Sequence, residues 1–167
     1  MKKWFVLLLS ALMLTGCGAG PQWETVSDNL DQPAAAGEPA QVSYELPEEA
    51  VLAASTADEL QKYYLGPNDS YEILEQCFAA ESLNEATKTV SGFDADRIGL
   101  VETTQDDYKR YDLSWTCAGE TQQVCRGTIL YDGNYYYSLT FACAEDSAQE
   151  HLTAGEEMLK TFELTQG

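Results

Sequence analysis

The cysteines are the side chains of this 167-residue chain most suited to chemistry. Cys77, Cys117, Cys125 and Cys143 would pair as two disulfides in an oxidising compartment. Cys117 and Cys125 then face each other across a hairpin, which leaves Cys77 with Cys143. Four cysteines allow three pairings, and the other reading is four reduced thiols buried as small apolar side chains. The chain has no CxxC, which argues against a zinc site and a thioredoxin-like redox role. His151 is the single histidine and sits beside Leu152 on a helical pattern without a Cys–His motif, so it reads as a surface residue. There is no G-x-S-x-G element, no glycine-rich phosphate loop and no EF-hand loop. The acid pairs Asp94/Asp96 and Asp106/Asp107 could bind calcium or act as acid and base, but among 28 acids they read as solvated turns. Tyr131, Tyr135, Tyr136 and Tyr137 could form a platform for a glycan or peptide. The four read mostly as core; alternation sends Tyr136 away from its neighbours, either under a helix or exposed, where it is the candidate binding-surface residue. No residue set assigns a catalytic centre, a metal or a cofactor.

Several elements must position these groups. Residues 42–46 alternate apolar and polar and predict a strand ended by Pro47. Three capping boxes, Thr56…Glu59, Ser82…Glu85 and Ser147…Glu150, each predict a helix start. The first helix would carry Ala57, Leu60 and Tyr64 and stop at Gly66-Pro67. The second would carry Leu83, Ala86 and Val90 and stop at Gly92. The third would carry Ala148, Leu152, Leu159 and Phe162, with Gly155 and Met158 on the same side. Residues 71–79 follow a turn cluster and predict a strand, as do 98–104. Residues 109–117, 124–131 and 135–143 alternate with period two. A three-residue turn at Asp132-Gly133-Asn134 pairs Tyr131 with Tyr135 and Cys125 with Phe141. A turn centred on Thr121 pairs Cys117 with Cys125 and Trp115 with Gly127. In those registers one face collects Tyr111, Leu113, Trp115, Ile129, Tyr137, Leu139 and Phe141 with the three hairpin cysteines. The opposite face takes Ser114, Thr116, Arg126, Thr128, Ser138 and Thr140. The result is an α+β fold, an antiparallel meander packed with helices.

At the N-terminus, Lys2 and Lys3 precede an apolar run of eleven residues, 4–14, too short to span a bilayer as a helix. Leu14-Thr15-Gly16-Cys17 follows and resembles the lipobox of bacterial lipoproteins. The resemblance implies a signal peptide over residues 1–16, lipidation of Cys17 and a lipid anchor on the extracytoplasmic face of the membrane. Acyl chains anchor through buried methylenes at ~0.8 kcal/mol each. Residues 17–41 are rich in Pro, Gly, Ala and acids and read as a flexible tether, and 42–167 as one domain.

The formal net charge is −19, from 9 Lys and Arg against 28 Asp and Glu. Loss of residues 1–16 takes two lysines and no acid, leaving −21. Such a charge excludes nucleic acid as a partner, because no basic face exists to neutralise phosphates, and excludes docking on anionic lipid by charge.

Two stretches give the domain a family likeness. They are the tyrosine-bearing strand–turn–strand over residues 130–141 and the closing helix ending Glu157-Met158-Leu159-Lys160-Thr161-Phe162-Glu163-Leu164. Together they resemble the Mog1/PsbP-like superfamily, DcrB-type lipoproteins included. The resemblance covers residues 42–165 and implies an α/β/α sandwich around an antiparallel sheet. It implies no single activity, since members serve as assembly factors and regulators. The expected function is a non-enzymatic binding or assembly module with a protein partner. The alternatives are a lipoprotein that captures a small ligand, glycan or metal ion, and a hydrolase or redox enzyme.

Overall fold

The computed structural model describes residues 37–105, 107–119 and 121–165. Cys17, the apolar run, the lipobox and Asp106 lie outside the described residues. Nine strands and two helices follow in the order β1 (Gln41–Ser43), β2 (Val51–Ser55), β3 (Gln61–Leu65), β4 (Tyr71–Phe78), α1 (Leu83–Ser91), β5 (Gly99–Thr104), β6 (Lys109–Cys117), β7 (Gln123–Tyr131), β8 (Tyr136–Ala144), α2 (Ala148–Lys160) and β9 (Glu163–Thr165). Seven strands form one antiparallel sheet in the order β2-β3-β4-β8-β7-β6-β5, and β1 pairs with β9 in a separate ribbon. Helix α2 covers one face and α1 the other, an α+β arrangement of three layers.

The sheet alternation builds two cores. Tyr71, Ile73, Tyr137, Leu139, Phe141 and Cys143 point to α2, where they meet Met158, Leu159 and Phe162. Tyr111, Leu113, Trp115, Cys125, Ile129, Tyr136 and Ala142 point to α1, where they meet Ala86 and Val90. The expected single apolar face is therefore split in two. The cause is register. Tyr131 pairs with Tyr136, Arg126 with Phe141 and Cys125 with Ala142, one residue away from the three-residue-turn alignment. Asp132 explains the slip: its Oδ1 accepts the N–H groups of Asn134 and Tyr135, both at 2.8 Å, which closes a four-residue loop instead. An odd slip exchanges the faces of a strand. The β6–β7 hairpin also departs from the expected alignment, with Trp115 opposite Cys125 and Cys117 opposite Gln123. That shift is two residues, so β6 and β7 keep their faces. Trp115 still packs over Gly127, where an added Cβ would lie 3.3 Å from the indole.

The helix expected from Thr56 is absent. Thr56 and Glu59 build the β2–β3 hairpin turn: Glu59 N–H donates to Thr56 O, and Thr56 Oγ1 accepts from Gln61 N–H. Val51–Ser55 before the turn and Gln61–Leu65 after it then pair as strands. Gly66 correspondingly begins the next hairpin loop rather than capping a helix. At the second box the cap forms, with Ser82 Oγ accepting from Glu85 N–H, while Glu85 Oε2 accepts from Glu81 N–H, one residue before the cap, and α1 ends at left-handed Gly92. At α2 the helix starts where expected, but Ser147 Oγ donates back to Ala144 O and does not cap. The strand expected over 42–46 is the shorter β1, and its partner β9 has no counterpart in the sequence reading.

Helix α2 lies unusually close to the sheet because residue 155 is glycine. A Cβ there would fall 2.5 Å from the Phe141 ring. Arg110, its side chain 15% exposed, clamps the far end of the helix. It donates to Leu159 O in the last turn at 2.8 Å and to Phe162 O, two residues past the helix, at 3.0 Å. Asp112 holds the guanidinium and accepts from Thr128 Oγ1. The opening segment is strapped down too. Tyr135 O–H donates to Gly37 O, and Ala40 N–H donates to Tyr137 Oη, so contact begins five residues before the expected domain start.

Candidate functional site

The hollow that stands out lies at an edge of the sheet. Strand β5 pairs with β6 only from Ser114 down to Lys109. Residues 115–117 of β6 have β7 on one side and, among the described residues, no strand on the other. Before β5 the chain leaves the sheet through a short turn at Ala95–Arg97. That departure opens a hollow of about 320 Å³ lined by Phe93, Arg97, Ile98, Ser114, Trp115, Thr116 and Arg126. Both faces contribute because the hollow straddles the edge: Trp115 points to the α1 side, Ser114, Thr116 and Arg126 to the other.

Two of the chain's few cations meet here. The Arg97 guanidinium lies 5.8 Å from the centre of the Phe93 ring and has no ion-pair partner among the described residues. Arg126 is opposite Ser114 on the ladder, donates to Cys125 O and sits 3.6 Å from the half-exposed Glu156 carboxylate. Such a surface pair contributes little stability and yields readily to a competing carboxylate. The Trp115 indole N–H is buried, with the Cys117 thiol beside it. The hollow combines an apolar floor, two hydroxyls, two guanidinium groups and an unpaired strand edge. It can bind an anion attached to an apolar, extended body. It contains no nucleophile with an adjacent base.

The residues singled out in the sequence lie elsewhere. Cys77, Cys117, Cys125 and Cys143 are all free thiols. Cys77 and Cys143 lie on adjacent strands, but Tyr71 is the residue opposite Cys143 and Cys77 is opposite Tyr137. Six residues of strand separate them, roughly 20 Å, so that pairing is excluded. Cys117 and Cys125 are neighbours on the α1 face. They sit diagonally on the ladder, Cys117 opposite Gln123 and Cys125 opposite Trp115, rather than directly across from each other as expected. Burial raises all four thiols above their ordinary range, Cys77 to about 12, which keeps them protonated and poorly nucleophilic.

Tyr136 is 5% exposed and stacks on Tyr131 at 4.3 Å and Phe78 at 6.1 Å. It belongs to the α1 core, not to a surface; the odd register slip put it there. Burial raises its phenol to about 12. His151 is half-buried, its ring 5.5 Å from Tyr71. Asp94 accepts from Asn84 and pairs with Lys88. Among the described residues no three His, Cys, Asp or Glu side chains form a metal-binding group. A further polar cluster ties the strap to the α2 face. Tyr44 O–H donates to the buried Glu75 carboxylate and meets the Tyr64 hydroxyl at 3.0 Å, while Lys62 Nζ lies 3.4 Å from Glu75. It is fully satisfied and serves the fold.

Solved structures share this architecture. LpqN of Mycobacterium tuberculosis, described as involved in cell envelope biogenesis, superposes with a TM-score of 0.53 at 10% identity, over 81% of this chain and 90% of that one. The PsbP of Synechocystis sp. PCC 6803, CyanoP, gives 0.53 at 9% identity, over 81% and 99%. The fold is PsbP-like. At these identities the likeness concerns the fold alone. No protein-family model and no curated protein matches the sequence.

Sequence reasoning missed Phe93 and Arg97 altogether, placed Ile98 only as the start of a strand, and placed Ser114, Thr116 and Arg126 only as a polar face. Nothing in their spacing brings them together; the departure of the chain before β5 does.

Proposed function

We propose that this chain is a lipid-anchored extracytoplasmic module that binds or helps assemble other envelope components and has no catalytic role. Residues 1–16 are the signal peptide, Cys17 carries the lipid, the following residues are the tether, and the PsbP-like domain does the binding. The carrying observation is Leu14-Thr15-Gly16-Cys17, placed directly after the apolar run. Among the described residues no helix is long and apolar enough to cross a membrane. The fold shared with LpqN, a protein of cell envelope biogenesis, supports an envelope role.

Expression in a bacterial host fed radiolabelled palmitate tests the anchor. The wild-type chain should carry label and sediment with membranes, and Cys17→Ser should lose both. An unlabelled wild-type chain in the soluble fraction contradicts the anchor. The hollow at the β6 edge favours binding over catalysis, because it offers cations and an open strand edge but no base beside a nucleophile.

A further inference from the structure

We infer that the hollow beyond β5 binds the C-terminal end of an extended peptide, seating its terminal carboxylate on Arg97 and Arg126. The inference rests on the binding-module reading and names its ligand class. Residues 115–117 present outward backbone groups, because alternate residues of an antiparallel strand direct both N–H and C=O to the same side. An added strand there satisfies them and continues the line of β5.

Direction decides which end of the peptide enters. β5 runs antiparallel to β6, with Gly99 opposite Ser114. A peptide antiparallel to β6 therefore starts opposite Cys117 and ends at residue 115, where it runs into Ile98 and Gly99. Chain cannot continue through that point, so a free terminus fits and an internal segment does not. The terminus arrives at the level of Ser114, and Arg126 is the ladder partner of Ser114. Arg97 lines the same hollow from the coil before β5. A parallel peptide would carry its carboxylate to the opposite end, away from both arginines.

Charge narrows the class further. A chain at −19 repels polyanions such as nucleotides or anionic polymers. A single carboxylate feels mainly its close neighbours, since interactions beyond about 8 Å are screened at physiological salt. Arg97 is free to receive it, and a ligand carboxylate on Arg126 replaces the weak contact with Glu156. Phe93, Ile98 and Trp115 suit an apolar last side chain.

The test is calorimetry with the full chain in detergent. The probes are the acetylated tetrapeptide Thr-Val-Thr-Phe as free acid, the same peptide as C-terminal amide, and N-acetylphenylalanine. The free acid should bind at least tenfold more tightly than the amide and than N-acetylphenylalanine. Arg97→Ala and Arg126→Ala should each weaken the acid at least fivefold while the melting temperature holds. Equal affinity for acid and amide overturns the proposal, as does no binding of the acid at millimolar concentration. N-acetylphenylalanine binding as tightly as the peptide overturns strand addition. Failure here leaves palmitate labelling of Cys17 unchanged, so loss of this inference and loss of the anchored-module reading are separable.

Discussion

The two faces of the sheet are closed in different ways. On one, a thirteen-residue helix lies tight against the strands, its backbone admitted by Gly155 and its end held by Arg110 through Leu159 O and Phe162 O. The strap from Gly37 to Tyr44 and the β1–β9 ribbon seal what remains. On the other, a nine-residue helix covers Phe78, Ile129 and Tyr136, and the end of the sheet at Leu113 and Trp115 is left to coil. Coil closes a sheet incompletely because it presents no periodic apolar stripe. The hollow sits where that closure fails. The α2 face is therefore expected to govern stability, and the coil-bordered edge to govern binding.

Breaking the clamp should have the largest effect. Arg110→Met removes the donors to Leu159 O and Phe162 O and the ion pair with the half-exposed Asp112, which keeps its bond from Thr128, at a cost of about 3 kcal/mol in urea unfolding. Gly155→Ala should follow. Its Cβ meets the Phe141 ring, and overpacking of about 1–3 kcal/mol is offset by a gain of about 1 kcal/mol in helix propensity, for a net loss of up to about 2 kcal/mol. Either variant behaving like wild type would undo the contrast between the faces.

Alkaline pH probes both faces at once. Cys77 on the α2 side and Tyr136 on the α1 side are each raised by burial to about 12. The folded chain holds these protons more tightly than the unfolded chain. Their contribution is complete below the ordinary values of 9.0 and 10.0 and is lost as pH rises through about 12. The melting temperature should stay level to pH 9 and then fall. Cys77→Ala should make the fall above pH 9 shallower, because Cys117, Cys125 and Cys143 still titrate from the same ordinary value, and an unchanged slope would show that Cys77 does not couple to folding. At the small end, Arg97→Ala should change stability by no more than about 0.5 kcal/mol, since its guanidinium is exposed, has no ion-pair partner among the described residues and only approaches the Phe93 ring.

How far the sequence discloses this molecule depends on the range of the contact concerned. Helix α2 is legible because Leu152, Met158 and Leu159 repeat on one side with Gly155 among them. The strands of the meander are legible because period-two alternation is local. Register is not. At β6–β7 a two-residue difference left every side chain on its expected face, whereas at β7–β8 one carboxylate, Asp132, lengthened the turn and moved Tyr137, Leu139, Phe141 and Cys143 to the α2 side. Thr56 and Glu59 show the opposite problem. A capping-box spacing also suits a hairpin turn, and the strand propensity on either side decides between them. The hollow is least legible, because Arg97 and Arg126 lie in different elements and meet only through the sheet edge.

The central claim is that binding resides at the β6 edge bordered by coil. Nuclear magnetic resonance titration of the ¹⁵N-labelled chain with the free-acid tetrapeptide tests it most directly. The account predicts shifts concentrated at residues 93–98, at 114–117 including the Trp115 indole, and at Arg126. The other sheet edge is the rival, because β2 is exposed throughout, with Val51 at 67% and Leu52 at 52%. Shifts confined to Val51–Ser55, with the Trp115 indole unmoved, would contradict the account.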